Sequence, residues 1–279
     1  MWEGSIETVV EKIRPPETIL VLGASDTGKT TFAVELAMRL AKSEPVAFVD
    51  ADIGQSRIGP PATIGWSVVD SAKKDLSQFD TRGIFFVGAV SPVGHLLQYT
   101  AALVKCVRQA AARIILIDTP GFVGEPAARS LWWTVQDILR PTKILLLQRD
   151  DEMKDFISGA RGFDSEVTFI TTPPQVPLKS MSQRQAHRQQ KFGQYLHNSS
   201  FYQLSLNRVA FQARENITAD TLIHRIIAMK DSGGNDLAVG RIIKWDVQNG
   251  AAVVEAPKIN IDSVACLIIG DVWYEGNGT

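Results

Sequence analysis

Over the first two thirds of the chain, short apolar runs alternate with stretches whose apolar residues recur every three or four positions. The runs are TILVL at 18–22, VAFVD at 46–50, IFFVG at 84–88, IILID at 114–118, ILLL at 144–147 and VTFI at 167–170. Runs of this length, bounded by polar residues, suit strands buried on both faces. The stretches between them, 30–43, 95–112 and 125–139, carry helical spacing. Such alternation predicts an α/β fold built on a doubly wound parallel sheet.

The texture changes near Thr171. TTPPQVP sets three prolines in seven residues and forms no regular element, and the polar segment that follows it predicts a helical lid over about 173–198. Past residue 205, LAVGRIIKWDV, AAVVEAP and SVACLIIGDVWY are apolar pieces broken by Gly, Asn and Asp, which predicts a small β-rich domain. The expected organisation is a domain over 1–204 that includes the lid, then a second over 205–279.

Composition refines this picture in one place. With 279 residues and 45% hydrophobic content the chain can bury a sizeable core. Its 29 Lys and Arg against 30 acids give a net charge of -1, so a polyanion has to be held by a local patch. The segment Val167 to Arg214 supplies one, with six Lys or Arg and no acid. Cys106 and Cys266 form no CxxC pair, the four histidines show no metal-ligand spacing, and no apolar stretch approaches the length of a membrane span. The expectation is a reduced cytoplasmic protein with no membrane contact, and the residues indicate no protein partner.

GASDTGKT at 23–30 fits GxxxxGK[ST] between a strand and a helix, the context that makes the motif a phosphate-binding P-loop. Gly23 and Gly28 permit backbone turns that a Cβ would resist. The N–H groups of Ala24, Ser25, Asp26 and Thr27 can then turn inward on phosphate oxygens, with Thr31 continuing the cradle. Lys29 adds a point charge near the β- and γ-phosphates, and Thr30 is a ligand for Mg2+.

Two positions can supply the acid that organises magnesium, Asp118 at the end of IILID and Asp50 at the end of VAFVD. Asp118 continues as DTPG, which is also a DxxG switch pattern. Along a strand, Asp50 and Asp52 project from one face with Cα atoms about 6 to 7 Å apart. Phosphoryl transfer to an alcohol needs one group for the metal and another for the nucleophile, so Asp50 is assigned to the metal and Asp52 to the hydroxyl proton. Asp52 also suits a turn cap before Gly54. A guanine-reading NKxD is missing from the sequence, so ATP is the expected donor with GTP left open.

With GASDTGKT, DADIGQ, GQSRIGPP, FFVGAVSPVGH, IDTPGFVG and the basic segment after TTPP in place, the chain resembles the polynucleotide 5′-hydroxyl kinases. These include the eukaryotic RNA-cleavage-factor kinase and the nucleolar pre-rRNA-processing kinase. The likeness runs from about Thr18 through Leu196, and more weakly through the small C-terminal domain. It implies that Asp52 is the general base, that Gln55 helps to hold the substrate, and that Thr119 and Phe122 belong to a clamp on the terminal nucleotide. It also implies that Arg184 and Arg188, four residues apart on one helical face, reach the transferring phosphate, with Lys191 assisting. About 17 residues precede the first strand, where eukaryotic members carry a β domain, so a compact stand-alone kinase is expected. The implied partner is the 5′-hydroxyl end of RNA or DNA. A regulatory NTPase switch and a non-catalytic RNA-processing scaffold are the competing readings. His95 is a further candidate for a phosphate contact.

Overall fold

The computed structural model describes residues 2–73, 76–153, 163–214 and 218–276. A seven-stranded sheet runs in the order β4 (Gly83–Phe86), β3 (Thr63–Val68), β2 (Val46–Asp50), β5 (Ile114–Asp118), β1 (Glu17–Gly23), β6 (Lys143–Gln148), β7 (Glu166–Thr171). Its parallel centre comprises β1, β2, β5, β6 and β7. These five carry the expected apolar runs.

Side chains alternate across the sheet, which decides the two layers. Leu20 and Leu22 of β1 pack with Tyr99 and Leu103 of α3 (Leu96–Gln109) and with Trp132 and Val135 of α4 (Pro126–Leu139). Ile19 and Val21 face the other way, toward Phe32 and Leu36 of α2 (Lys29–Leu40) and Ile6 and Val9 of α1 (Glu3–Val10). The sheet is therefore covered on both faces, as continuous apolar strands require.

The two strands at one edge depart from parallel pairing. β3 pairs antiparallel with β2, and β4 pairs antiparallel with β3. The run IFFVG fixes burial at this edge but carries no information on direction.

The second sheet has the order β8 (Ser200–Ser205), β12 (Ala251–Ala256), β11 (Asp236–Asp246), β10 (Arg225–Lys230), β13 (Cys266–Trp273), β9 (Ala210–Gln212). Its first strand, β8, pairs with β12, so this sheet begins ahead of residue 205. One face holds its own core of Ile227, Met229, Ile242 and Val254. The other face, through Ile226, Ala228 and Val239, packs on Phe86 and on Phe192 and Leu196. Phe192 lies near the end of α5 (Met181–Tyr195), the lid helix, whose start is set by a Ser180–Gln183 capping box. The second sheet thus anchors the far end of the lid and leaves its first turns over the P-loop. Among the described residues, no helix is long and apolar enough to cross a membrane.

Candidate active site

The parallel strands deliver their C-terminal ends to one crevice, where the sheet order reverses and ligands of such folds bind. Gly23, Asp50 and Asp118 close β1, β2 and β5, with Asp50 and Asp118 register partners on neighbouring strands. A cavity of about 420 Å³ opens there. Its walls come from the P-loop, the loop after β2, Val90–Val93, Pro120–Phe122 and the first turns of α5.

Gly28 takes a left-handed φ of 80°, which turns the chain into α2. Ser25, Asp26, Gly28, Lys29, Thr30 and Thr31 reach the cavity, while Gly23, Ala24 and Thr27 shape the turn beneath it. Lys29 Nζ donates to the Ala24 carbonyl at 2.7 Å, and the Thr27 hydroxyl donates to the same oxygen at 2.9 Å. Burial pulls the Lys29 ammonium below its ordinary range, and the charges of Asp118, Asp52 and Asp26 oppose that shift.

Asp52 stands at a turn and on the cavity wall. Its Oδ1 accepts from the Gly54 and Gln55 N–H groups, both at 3.1 Å, so it caps the turn. Those bonds engage Oδ1 only, and Asp52 helps to line the cavity beside Lys29, Arg184 and Arg188. Tyr99 steadies the preceding residue by donating its hydroxyl to the Ala51 carbonyl at 3.1 Å.

The metal assignment of Asp50 is corrected by its hydrogen bonds. β2 ends at Asp50, so strand alternation does not extend to Asp52. Asp50 Oδ2 accepts from Arg57 N at 2.5 Å and Ile58 N at 2.9 Å, and its Oδ1 accepts from Asp52 N at 3.3 Å. Its carboxylate is spent on the fold of the loop. Burial pushes it up to about 6, against the pull of those N–H donors.

Asp118 is the opposite case. It is fully buried, and neither carboxylate oxygen has a hydrogen-bond partner of ordinary geometry among the described residues. Burial and then the Asp50 charge push it up to about 7, while the nearby Thr30 hydroxyl and Lys29 pull down. Orphaned buried oxygens beside a P-loop threonine and lysine fit a magnesium site. The Thr30 hydroxyl lies beside Asp118, whereas the Asp50 carboxylate is engaged by backbone donors.

The lid helix lies closed over the crevice. Arg184 donates to Asp26 Oδ2 at 2.7 Å, and its backbone carbonyl accepts from Gln55 Nε2 at 3.2 Å. Arg188 lines the cavity, and burial and then the charge of Arg184 lower its pKa against the attraction of Asp52. Lys191 sits farther along, donating to the Arg57 carbonyl at 3.4 Å, and is not on the cavity wall. Its position supports the loop instead of the transferred group.

The clamp segment divides as well. The Thr119 hydroxyl is fully buried and donates to the Val21 carbonyl at 2.6 Å, which corrects its assignment to substrate. Pro120, Gly121 and Phe122 do reach the cavity. Phe122 also belongs to the core, and its carbonyl accepts from Trp132 Nε1 at 2.6 Å. His95 faces the second sheet, with Nε2 3.4 Å from Asp271 Oδ2 and Arg214 between 2.9 and 3.1 Å from its ring nitrogens. Its candidacy for a phosphate contact ends there.

The cavity residues that the sequence did not single out include Arg57, Lys179 and His187. The basic character of 167–214 signalled the last two in general terms, and nothing singled them out. Arg57 stands two residues past Gln55 in GQSRIGPP, with no local pattern to mark it.

Residues 23–198 match the family described as mRNA cleavage and polyadenylation factor CLP1 P-loop. The chain belongs to that family. It is 31% identical over 95% of its length to the polyribonucleotide 5′-hydroxyl-kinase of Pyrococcus furiosus, covering 77% of that protein. It is 27% identical over 88% of its length to the enzyme of the same name from Pyrococcus horikoshii, covering 65% of it. The chain therefore spans 65% to 77% of the length of these two relatives. The solved wild-type Clp1p–Pcf11p complex contains a chain of the same fold, with a TM-score of 0.73 at 14% identity, over 97% of this chain and 77% of that one.

Proposed function

We infer that this member of the CLP1 P-loop family is an ATP-dependent polynucleotide 5′-hydroxyl kinase acting on RNA ends. The carrying observation is that Asp52, Lys29, Arg184 and Arg188 line one cavity. The names of the archaeal relatives support the same substrate class.

In this reading the P-loop N–H groups and Lys29 hold the triphosphate. Asp52 Oδ2 accepts the proton of the 5′-hydroxyl as its oxygen bonds to the γ-phosphorus, and the bond from that phosphorus to the β–γ bridging oxygen breaks, releasing ADP. Arg184 exchanges Asp26 for phosphate oxygens, and with Arg188 it stabilises charge spread over the equatorial oxygens. Thr30 and Asp118 are the residues that fit magnesium, which supplies charge neutralisation between the β- and γ-phosphates when bound. Phe122 offers an aromatic edge to the terminal base without reading its identity.

Incubation with γ-labelled ATP and a 5′-hydroxyl oligoribonucleotide should label the strand, and its 5′-phosphorylated counterpart should stay unlabelled. ATP hydrolysis without strand labelling would refute the reading.

A further inference from the structure

Asp50 is a buried carboxylate whose work is to hold the backbone of Arg57 and Ile58. From the opposite side, Lys191 Nζ donates to the Arg57 carbonyl, and His187 Nε2 lies 3.2 Å from the Ser56 carbonyl. The backbone around Arg57 is thus fixed between the sheet edge and the lid. Its side chain is left to the cavity, which it lines together with Lys179 and His187.

The charge balance here is one-sided. Arg184 has Asp26 as its partner, whereas no carboxylate lies within ion-pair distance of Arg57 or Lys179 among the described residues. Burial lowers the His187 pKa first, the Ser56 carbonyl opposes, and Lys191, Lys179 and Arg57 add to the lowering, which places these cations around one imidazole. Neighbouring cations repel, and a cluster built on fixed backbone is stabilised by an anion that takes several of them at once.

We propose that Arg57 and Lys179 form a subsite for the phosphodiester backbone of the acceptor strand, leading away from the 5′ end held at Asp52. This rests on the kinase reading for the direction of the strand, and on charge and geometry for the subsite itself. Arg57 takes two non-bridging oxygens with its planar fork, and Lys179 acts as a point charge. Neither contact carries base identity. The enzyme would therefore favour strands with internal phosphates over single nucleosides, whatever their sequence.

The test compares wild type, Arg57→Ala, Arg57→Lys and the double variant Arg57→Ala with Lys179→Ala. Binding of a fluorescent 5′-hydroxyl decaribonucleotide is followed by anisotropy at several salt concentrations, beside kcat and KM for the decamer and for a nucleoside 3′-monophosphate. Arg57→Ala keeps the backbone contacts of residue 57, and unchanged ATP affinity verifies the fold. The expected result is a roughly tenfold rise in Kd and KM for the decamer with kcat unchanged, and partial retention in Arg57→Lys. The double variant should lose about 1.4 from the slope of log K against log salt.

A double variant that binds the decamer with wild-type Kd and salt slope, while wild type labels the strand, overturns the subsite and leaves the kinase intact. Decamer binding that depends on Arg57 in a protein that never labels the strand supports the subsite and removes the kinase reading. Polyglutamate that displaces the decamer at equal charge would assign the surface to an acidic protein segment and overturn the proposal.

Discussion

Arg184 of the lid and Asp26 of the P-loop form a part-buried ion pair at 2.7 Å, joining two segments 158 residues apart in sequence. The pair closes the lid through a carboxylate at the place where the proposed mechanism needs phosphate oxygens. Asp26→Ala should therefore loosen the lid only when nucleotide is absent. Tryptic cleavage within 173–198 should rise about fivefold in the free protein, equivalent to roughly 1 kcal/mol. With ATP bound, the variant and wild type should be cut at the same rate.

Asp118 gives a prediction in pH. Its carboxyl lies at about 7 in the fold against 3.8 when unperturbed, chiefly through burial and secondarily through Asp50. Between about 4 and 7 the folded chain keeps a proton that the unfolded chain has released, so the site costs stability that accumulates across this window. The cost is complete above 7 and absent below the unfolded value. Asp118→Asn should stabilise the nucleotide-free protein, and its gain at pH 8 should exceed that at pH 5 by on the order of 2 kcal/mol. Thermal denaturation at both pH values checks this, and equal gains would mean that the carboxyl is not raised.

Gly121 tests the contact between the clamp and the P-loop. A Cβ there would stand 2.3 Å from Ser25 Oγ and 2.5 Å from the Ser25 nitrogen. The second of these is backbone and cannot swing aside. Gly121→Ala should push the P-loop off its phosphate-binding shape and weaken ATP binding by at least tenfold, within the roughly 1–3 kcal/mol of an overpacked site. Titration calorimetry with ATP is the measurement, and unchanged affinity would show that the two loops move together.

Four of the five parallel strands were legible because both of their faces are buried, whereas the edge strand β7 shows as an apolar run with only Ile170 buried. β3 was not read as a strand, and the antiparallel pairing of β4 was not legible, since direction is set by the partner strand and not by composition. The P-loop was legible as a local motif. Asp50 was misassigned because its role depends on N–H donors seven and eight residues ahead, after the strand has ended. Thr119 was misassigned for a similar reason, its partner being a carbonyl 98 residues earlier. Asp26 was placed in the phosphate cradle, but its lid partner lies beyond any window of local sequence. Residues whose function lies in their own backbone turn could be found from sequence, and residues defined by distant partners could not.

Asp52→Asn isolates the central claim, because asparagine keeps an Oδ1 acceptor for the Gly54 and Gln55 N–H groups and removes only the proton acceptor. Single-turnover transfer from γ-labelled ATP to a 5′-hydroxyl oligoribonucleotide should fall by about 10²–10⁴-fold in this variant, with ATP affinity within about twofold of wild type. Transfer at the wild-type rate in Asp52→Asn would contradict the assignment of Asp52 as the group that takes the hydroxyl proton.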